Sequence, residues 1–221
     1  MVTIKVHTAN RANYGNTRNL GGIQYIVIHY TANDGDTDEN NGKYFANNVV
    51  KASAHYFVDD DSITQSVPDN HVAWAVGGNR YSNYKTTGGA KFYGKCTNSN
   101  SLSIELCDDV KNGVVYPSAK TITNALELAR MLMAKYNVPA DRVIRHFDVN
   151  GKPCPAYWCG SAEKDAKWKA EFWNKLSPVE VAKAANREKV KARFGFEEQT
   201  LDYLAAYKHG AELLRKLATA K

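Results

Sequence analysis

Gln24–Tyr30 reads QYIVIHY, a short apolar and β-branched run set between Gly21-Gly22 and the polar stretch TANDGDTDEN. Such a run predicts a buried strand, with His29 near its end. Working outward, Ala54–Val58 (AHYFV) leads through the turn-forming DDDS into Ile63–Val67 (ITQSV), the pattern of a hairpin. Ser101–Leu106 (SLSIEL) alternates polar and apolar residues and predicts a further strand, with Glu105 on the face opposite Ile104 and Leu106. From Thr121 to Tyr136, Ile122, Ala125, Leu126, Leu128, Ala129, Leu132 and Met133 recur at helical spacing before Pro139. Strands interleaved with helices in this order give an α/β fold: a mixed central β-sheet flanked by helices. The Gly/Pro-rich segment RHFDVNGKPCPAYWCG is expected to be a loop, followed by a helix around Lys164–Lys175.

Ser177-Pro178-Val179-Glu180 combines an N-cap serine, a proline at the first helical position and a glutamate placed for a capping box. A new helix is expected there, stopping at Gly195. A second restarts near Glu197, with Leu201, Leu204, Ala205, Leu214 and Leu217 on one side. The chain therefore divides into an expected main domain, residues 1–176, and a small C-terminal helical hairpin, 177–221. So small a hairpin must dock on the main domain, bind a partner polymer or join two copies of the chain.

At 221 residues, 43% hydrophobic and 24% charged, the composition is that of an ordinary globular protein and excludes disordered and fibrous classes. No run reaches the roughly 18 apolar residues of a membrane span, and the start MVTIKVHTANRANYG lacks the apolar core of a signal peptide. The net charge of +6 suits a polyanionic partner without choosing among nucleic acid, membrane and cell wall. Cys96, Cys107, Cys154 and Cys159 are too scattered for a disulfide scaffold.

His29 ends a predicted strand, His146 follows the apolar run RVIR, and Cys154 comes eight residues later between two prolines. Imidazole and thiolate are the donors zinc prefers, and three protein ligands leave the fourth tetrahedral position open for water, the arrangement of a catalytic rather than a structural site. Recruitment of Cys159 as a fourth ligand would instead close the site. A cysteine peptidase built on Cys154 is disfavoured, because a thiol between prolines is poorly placed at an activating helix N-terminus.

The strings YIVIHYTA, SAHYFVD, SLSIEL and RHFDVNGKPCP resemble, in order and spacing, the motifs of the N-acetylmuramoyl-L-alanine amidases that include small phage lysins and peptidoglycan recognition proteins. The resemblance spans roughly residues 20–175. It implies one zinc ion held by His29, His146 and Cys154, with Tyr56 and Lys152 as polar groups beside it. Some relatives use the glutamate of the strand motif, here Glu105, as the base. A carboxylate suits that task better than a phenol at neutral pH, so Glu105 is the expected base, Tyr56 an aligning partner and Lys152 the support of the oxyanion. The implied substrate is bacterial peptidoglycan, not nucleic acid, and the implied setting is a phage or prophage endolysin held in the host cytoplasm until release to the wall. A non-catalytic peptidoglycan-binding module of the same fold is the alternative, one that the filled ligand positions disfavour. Where many relatives read Ala-Trp-His-Ala-Gly, this chain has Ala73-Trp74-Ala75-Val76-Gly77. Trp74 and Trp158 are candidates for stacking on sugar rings. His7, His55, His71 and His209 receive no role.

Overall fold

The computed structural model describes residues 2–111, 114–176, 186–187 and 189–220. In chain order its strands are β1 (Thr3–Val6), β2 (Tyr14–Thr17), β3 (Tyr25–Asp34), β4 (Tyr56–Val58), β5 (Ser62–Gln65), β6 (His71–Ala73), β7 (Ser101–Lys111), β8 (Val114–Tyr116) and β9 (Val143–Arg145). Helices of the same unit are α1 (Asp38–Asn47), α2 (Tyr84–Thr87), α3 (Ala119–Tyr136), α4 (His146–Asn150) and α5 (Ala162–Glu171).

The main sheet runs β1-β5-β4-β7-β3-β9, with β8 paired to the end of β7. β3 lies between two parallel neighbours, β7 and β9. Its Ile26, Val27 and Ile28 are fully buried, which explains an apolar run at consecutive rather than alternate positions. β4 runs parallel to β7 and antiparallel to β5, so the sheet is mixed. The DDDS turn of that hairpin closes because the Asp59 carboxylate accepts the backbone amides of Asp61 and Ser62 at 3.0 and 2.9 Å.

α3 packs against β7, β3 and β4 through Ala125, Leu128, Ala129 and Leu132, none more than 1% exposed. It begins two residues earlier than its apolar periodicity indicates because Ser118 caps it, accepting the Thr121 amide. It ends at Asn137 in the left-handed conformation.

The segment expected to be a loop carries more structure. After β9 the chain enters α4 directly, because the Asp148 carboxylate caps the Arg145 amide at 2.9 Å. Gly151, at φ +88°, ends that helix and turns the chain towards Lys152 and Cys154.

The chain divides into two compact units, Met1–Trp173 and Asn174–Lys221. The helix start expected at Ser177–Glu180 lies outside the described residues. Within the second unit, residues 189–194, Glu198–Ala206 and Gly210–Thr219 are helical. Val190, Leu201 and Leu214 form its buried centre, with Leu204 and Leu217 packed against them, while Ala205 is exposed. The second helix, expected to be continuous, breaks at 207–209. A Cβ on Gly210 would stand 2.2 Å from the Leu204 carbonyl oxygen, so only glycine fits that re-entry.

Candidate metal centre

Short β9 ends at Arg145, level with Ile28, while its parallel neighbours β3 and β7 run on to Asp34 and Lys111, so the expected strand end at His29 falls instead in the middle of β3, beside the end of β9. His29 on β3 stands level with Glu105 on β7, and Glu105 stands level with Phe57 on β4, so these three side chains share one face. Ile28 is level with Arg145 on β9. His146, one residue further, therefore emerges beside His29, with ring centroids 4.7 Å apart. Cys154 returns to the same place because its carbonyl accepts the Phe147 amide at 2.9 Å, which ties the loop to the first turn of α4. Its Sγ lies 3.8 Å from His29 Nδ1. One donor atom from each of His29, His146 and Cys154 falls within 4.8 Å of the others, and all three residues are buried.

These residues fit a zinc ion. Nε2 of His29 and both ring nitrogens of His146 are buried without a hydrogen-bond partner among the described residues, a costly arrangement unless something binds there. Burial, reinforced by each other's charge and by Lys152, holds the His29 imidazole well below its ordinary pKa. Burial and Lys152 bring His146 down to about 3. Both rings are thus neutral, the form that donates to a metal. Burial and the charge of Glu105 push the Cys154 thiol well above its ordinary value, a cost that a cation at the sulfur would offset.

Glu105 keeps 20% of its side-chain surface exposed, with Oε1 3.8 Å from His29 Nδ1. Burial raises its carboxyl to about 8 against the opposing pull of Lys152. Lys152 is exposed and borders the cavity of about 390 Å³ that also contains His29, Glu105, His146 and Cys154 in its wall. Five of the six expected site residues are thereby brought together.

The sixth, Tyr56, is not, and the expectation of an aligning role is corrected. Tyr56 is level with Ile104, and adjacent residues on a strand point to opposite faces, so its side chain projects away from Phe57 and Glu105. Its hydroxyl donates to Asp69 at 2.6 Å, beside Lys135 at 3.0 Å and the Tyr136 hydroxyl. Burial and the Asp69 charge push its phenol upward, keeping it protonated. Burial works to raise Asp69, but the hydrogen bonds from Tyr136, Tyr56 and Lys135 outweigh it and hold the carboxyl below its usual value. Tyr56→Phe is therefore expected to cost about 1.5–3 kcal/mol of stability in thermal or denaturant unfolding, with metal content and turnover unchanged. Because the native pKa of Asp69 is depressed, this contribution is full above the unfolded value of 3.8 and is lost as pH falls through the native one. The deficit should shrink on strong acidification.

Trp158 is fully buried and donates to Glu171 at 2.7 Å, so it cannot stack on a sugar. Trp74, half-buried, does line the groove, as does Ala75 at the position of the missing histidine. Cys159 is buried, and the grouped donors of this centre are those of His29, His146 and Cys154. The sequence reading passed over Arg145. Its buried guanidinium holds Asp148 at 2.8 Å, Asp165 at 2.9 Å and the Trp158 carbonyl, fastening α4, the turn after Cys154 and α5 around the centre. The Arg-x-x-Asp spacing was the signal available for it.

Comparison with known proteins agrees with this geometry. The N-acetylmuramoyl-L-alanine amidase family matches residues 17–157. The amidase CwlL of Bacillus licheniformis is 30% identical over 172 residues, 76% of this chain and 45% of that protein. BlyA of Bacillus subtilis (strain 168), also an N-acetylmuramoyl-L-alanine amidase, is 33% identical over 75% of this chain and 45% of its own length. The chain thus spans about half the length of these relatives. A mutant endolysin from Bacillus subtilis superposes with a TM-score of 0.60 at 27% identity, covering 80% of this chain and 100% of that one. The chain belongs to the N-acetylmuramoyl-L-alanine amidase family.

Proposed function

We propose that this chain is a zinc-dependent peptidoglycan hydrolase that cleaves the amide between N-acetylmuramic acid and L-alanine, deployed as a phage or prophage endolysin from the host cytoplasm to the wall. The observation that carries the reading is the convergence of His29, His146 and Cys154, with buried imidazole nitrogens that have no hydrogen-bond partner among the described residues, beside a carboxylate and a lysine on the wall of one open cavity. When bound there, zinc would supply Lewis-acid polarisation of the lactyl carbonyl and activation of water. Glu105, whose carboxyl stands at about 8 in the metal-free centre, would be drawn into its ionised form by a bound cation together with Lys152 and would then accept the proton of the attacking water and return it to the departing alanine nitrogen. Lys152, at the exposed rim, would place positive charge near the developing oxyanion. His29 projects from the middle of β3, His146 from the first turn of α4 and Cys154 from a tethered turn, so the donors are fixed before a metal arrives.

Digestion of purified walls tests the reading. New L-alanine amino groups without new reducing sugar ends are expected, and glycan reducing ends or other peptide termini would refute it. The unit Asn174–Lys221 belongs to the same proposal as a module that targets walls or pairs two copies. A chain ending at Leu176 is expected to cleave soluble muropeptide but to lyse intact walls less well. Loss of zinc binding on this truncation would assign the helices to the catalytic unit.

A further inference from the structure

The metal centre lies in the middle of a longer groove whose two ends differ in charge. On one side a cavity of about 610 Å³ shares Trp74, Tyr81, His146 and Lys152 with the centre, and on the other a cavity of about 580 Å³ shares Tyr30, Phe57, Glu105 and Lys152 with it. The first end is bordered by Lys51, Arg80 and Lys152 and by no Asp or Glu among the described residues. The second carries Asp36 and Glu105 together with the amides of Asn33, Asn40 and Asn41 and the ring of Tyr44.

Arg80 differs from an ordinary surface cation. Its guanidinium lies over the Tyr84 ring at 4.1 Å and the Tyr93 ring at 5.2 Å, contacts that restrict the side chain while leaving its hydrogen-bonding edge available. It forms no ion pair among the described residues. Tyr84 is itself placed by α2, while the Tyr81 amide donates to the Asn150 carbonyl at 2.8 Å. That bond anchors the Arg80 loop to α4, the helix that begins with His146.

We propose that the Arg80 end of the groove is a carboxylate-binding subsite for the stem peptide, and that the Asn/Tyr end receives the glycan. The assignment rests on the amidase reading above. In a muramyl peptide the lactyl carboxyl is consumed in the scissile amide and the acetamido sugars are neutral, so every carboxylate lies on the peptide side of the cut. The nearest of them is the free α-carboxylate of the γ-linked D-glutamate that follows L-alanine. A planar guanidinium held against the Tyr84 and Tyr93 rings can match it in bidentate geometry. Amides, a carboxylate and an exposed ring at the opposite end match hydroxyls and acetamido groups.

Kinetics of the zinc-loaded full chain on two substrates test this, one ending in L-alanyl-D-glutamyl-L-lysine and one with D-isoglutamine in place of D-glutamate. The native chain is expected to show a KM about tenfold lower for the acid than for the amide, the size of one charge-assisted hydrogen bond. Arg80→Ala and Arg80→Gln should each raise the KM for the acid to that for the amide, Gln serving as the variant that keeps a planar polar group beside the rings. Equal KM values in the native chain, or a preference that survives both variants, would overturn the subsite while the cleavage itself still supports the amidase reading. If neither substrate is cleaved, that reading fails, and calorimetry with free L-alanyl-γ-D-glutamyl-L-lysine decides the subsite separately: binding lost in Arg80→Gln supports it, and binding absent or unchanged overturns it.

Discussion

A Cys154→Ala chain is expected to lose its zinc on dialysis and its wall-lysing activity with it, while remaining folded. The loss of metal follows from coordination: two imidazoles remain where three donors stood, and removing a ligand should exceed the ten- to hundredfold effect typical of groups that only orient ligands. Persistence of the fold follows from electrostatics. In the metal-free chain His29 and His146 are held neutral and Cys154 is held as the thiol, so no uncompensated charge is stranded when the ion leaves. The three residues also hang from a sheet whose strands β3 and β7 are buried through Ile26, Ile28, Ile104 and Leu106, all at 0% exposure. Chelation of the unaltered chain should therefore abolish lysis with little change in near-ultraviolet circular dichroism. This contrasts with small zinc domains that unfold without metal. Metal analysis showing one zinc per chain in Cys154→Ala would remove that residue from the ligand set.

The elements that set this site were readable where a residue's neighbours in sequence are also its environment. The run IVIH is apolar at consecutive positions because β3 is covered on both faces, and that pattern marks a buried strand carrying His29, although the strand continues through polar residues to Asp34 instead of ending there. Glu105 could be set apart from Ile104 and Leu106 by alternation. Tyr56 could not be placed in this way. Tyr56 and Phe57 are both buried, so composition does not say which of them faces the metal; that depends on the register Phe57↔Glu105 across to β7. Trp158 sits in a Gly/Pro-rich stretch that suggests exposure, yet it packs against Trp168 and Phe172. Arg145 was missed because its three partners come from α4, the turn at Trp158 and α5, which converge only in the folded chain. The break before Gly210 is likewise dictated by the approach of the Leu204 carbonyl, a tertiary contact with no local signature.

Glu105→Gln is expected to retain zinc and to lose on the order of a hundredfold or more in turnover, the scale of removing a general base. The substitution preserves shape and removes only the capacity to accept a proton. Glu105 suits the role on three counts. It is level with His29 across a parallel pair, its Oε1 stands 3.8 Å from His29 Nδ1, and its Oε2 is buried without a hydrogen-bond partner among the described residues. Lys152, whose charge favours the ionised carboxylate, should matter on a similar scale: Lys152→Ala is expected to keep zinc and lose comparable turnover through the oxyanion. The contrast with Tyr56→Phe is what makes the test sharp, because Tyr56 lies on the other face of the sheet and its phenol is held protonated against Asp69. An interaction made only in the transition state lowers kcat and kcat/KM together, so Glu105→Gln should show parallel losses in both on a soluble muropeptide. A Glu105→Gln protein with full zinc and near-normal kcat would end the assignment, and a dead Tyr56→Phe protein with normal stability would move the base to the opposite face.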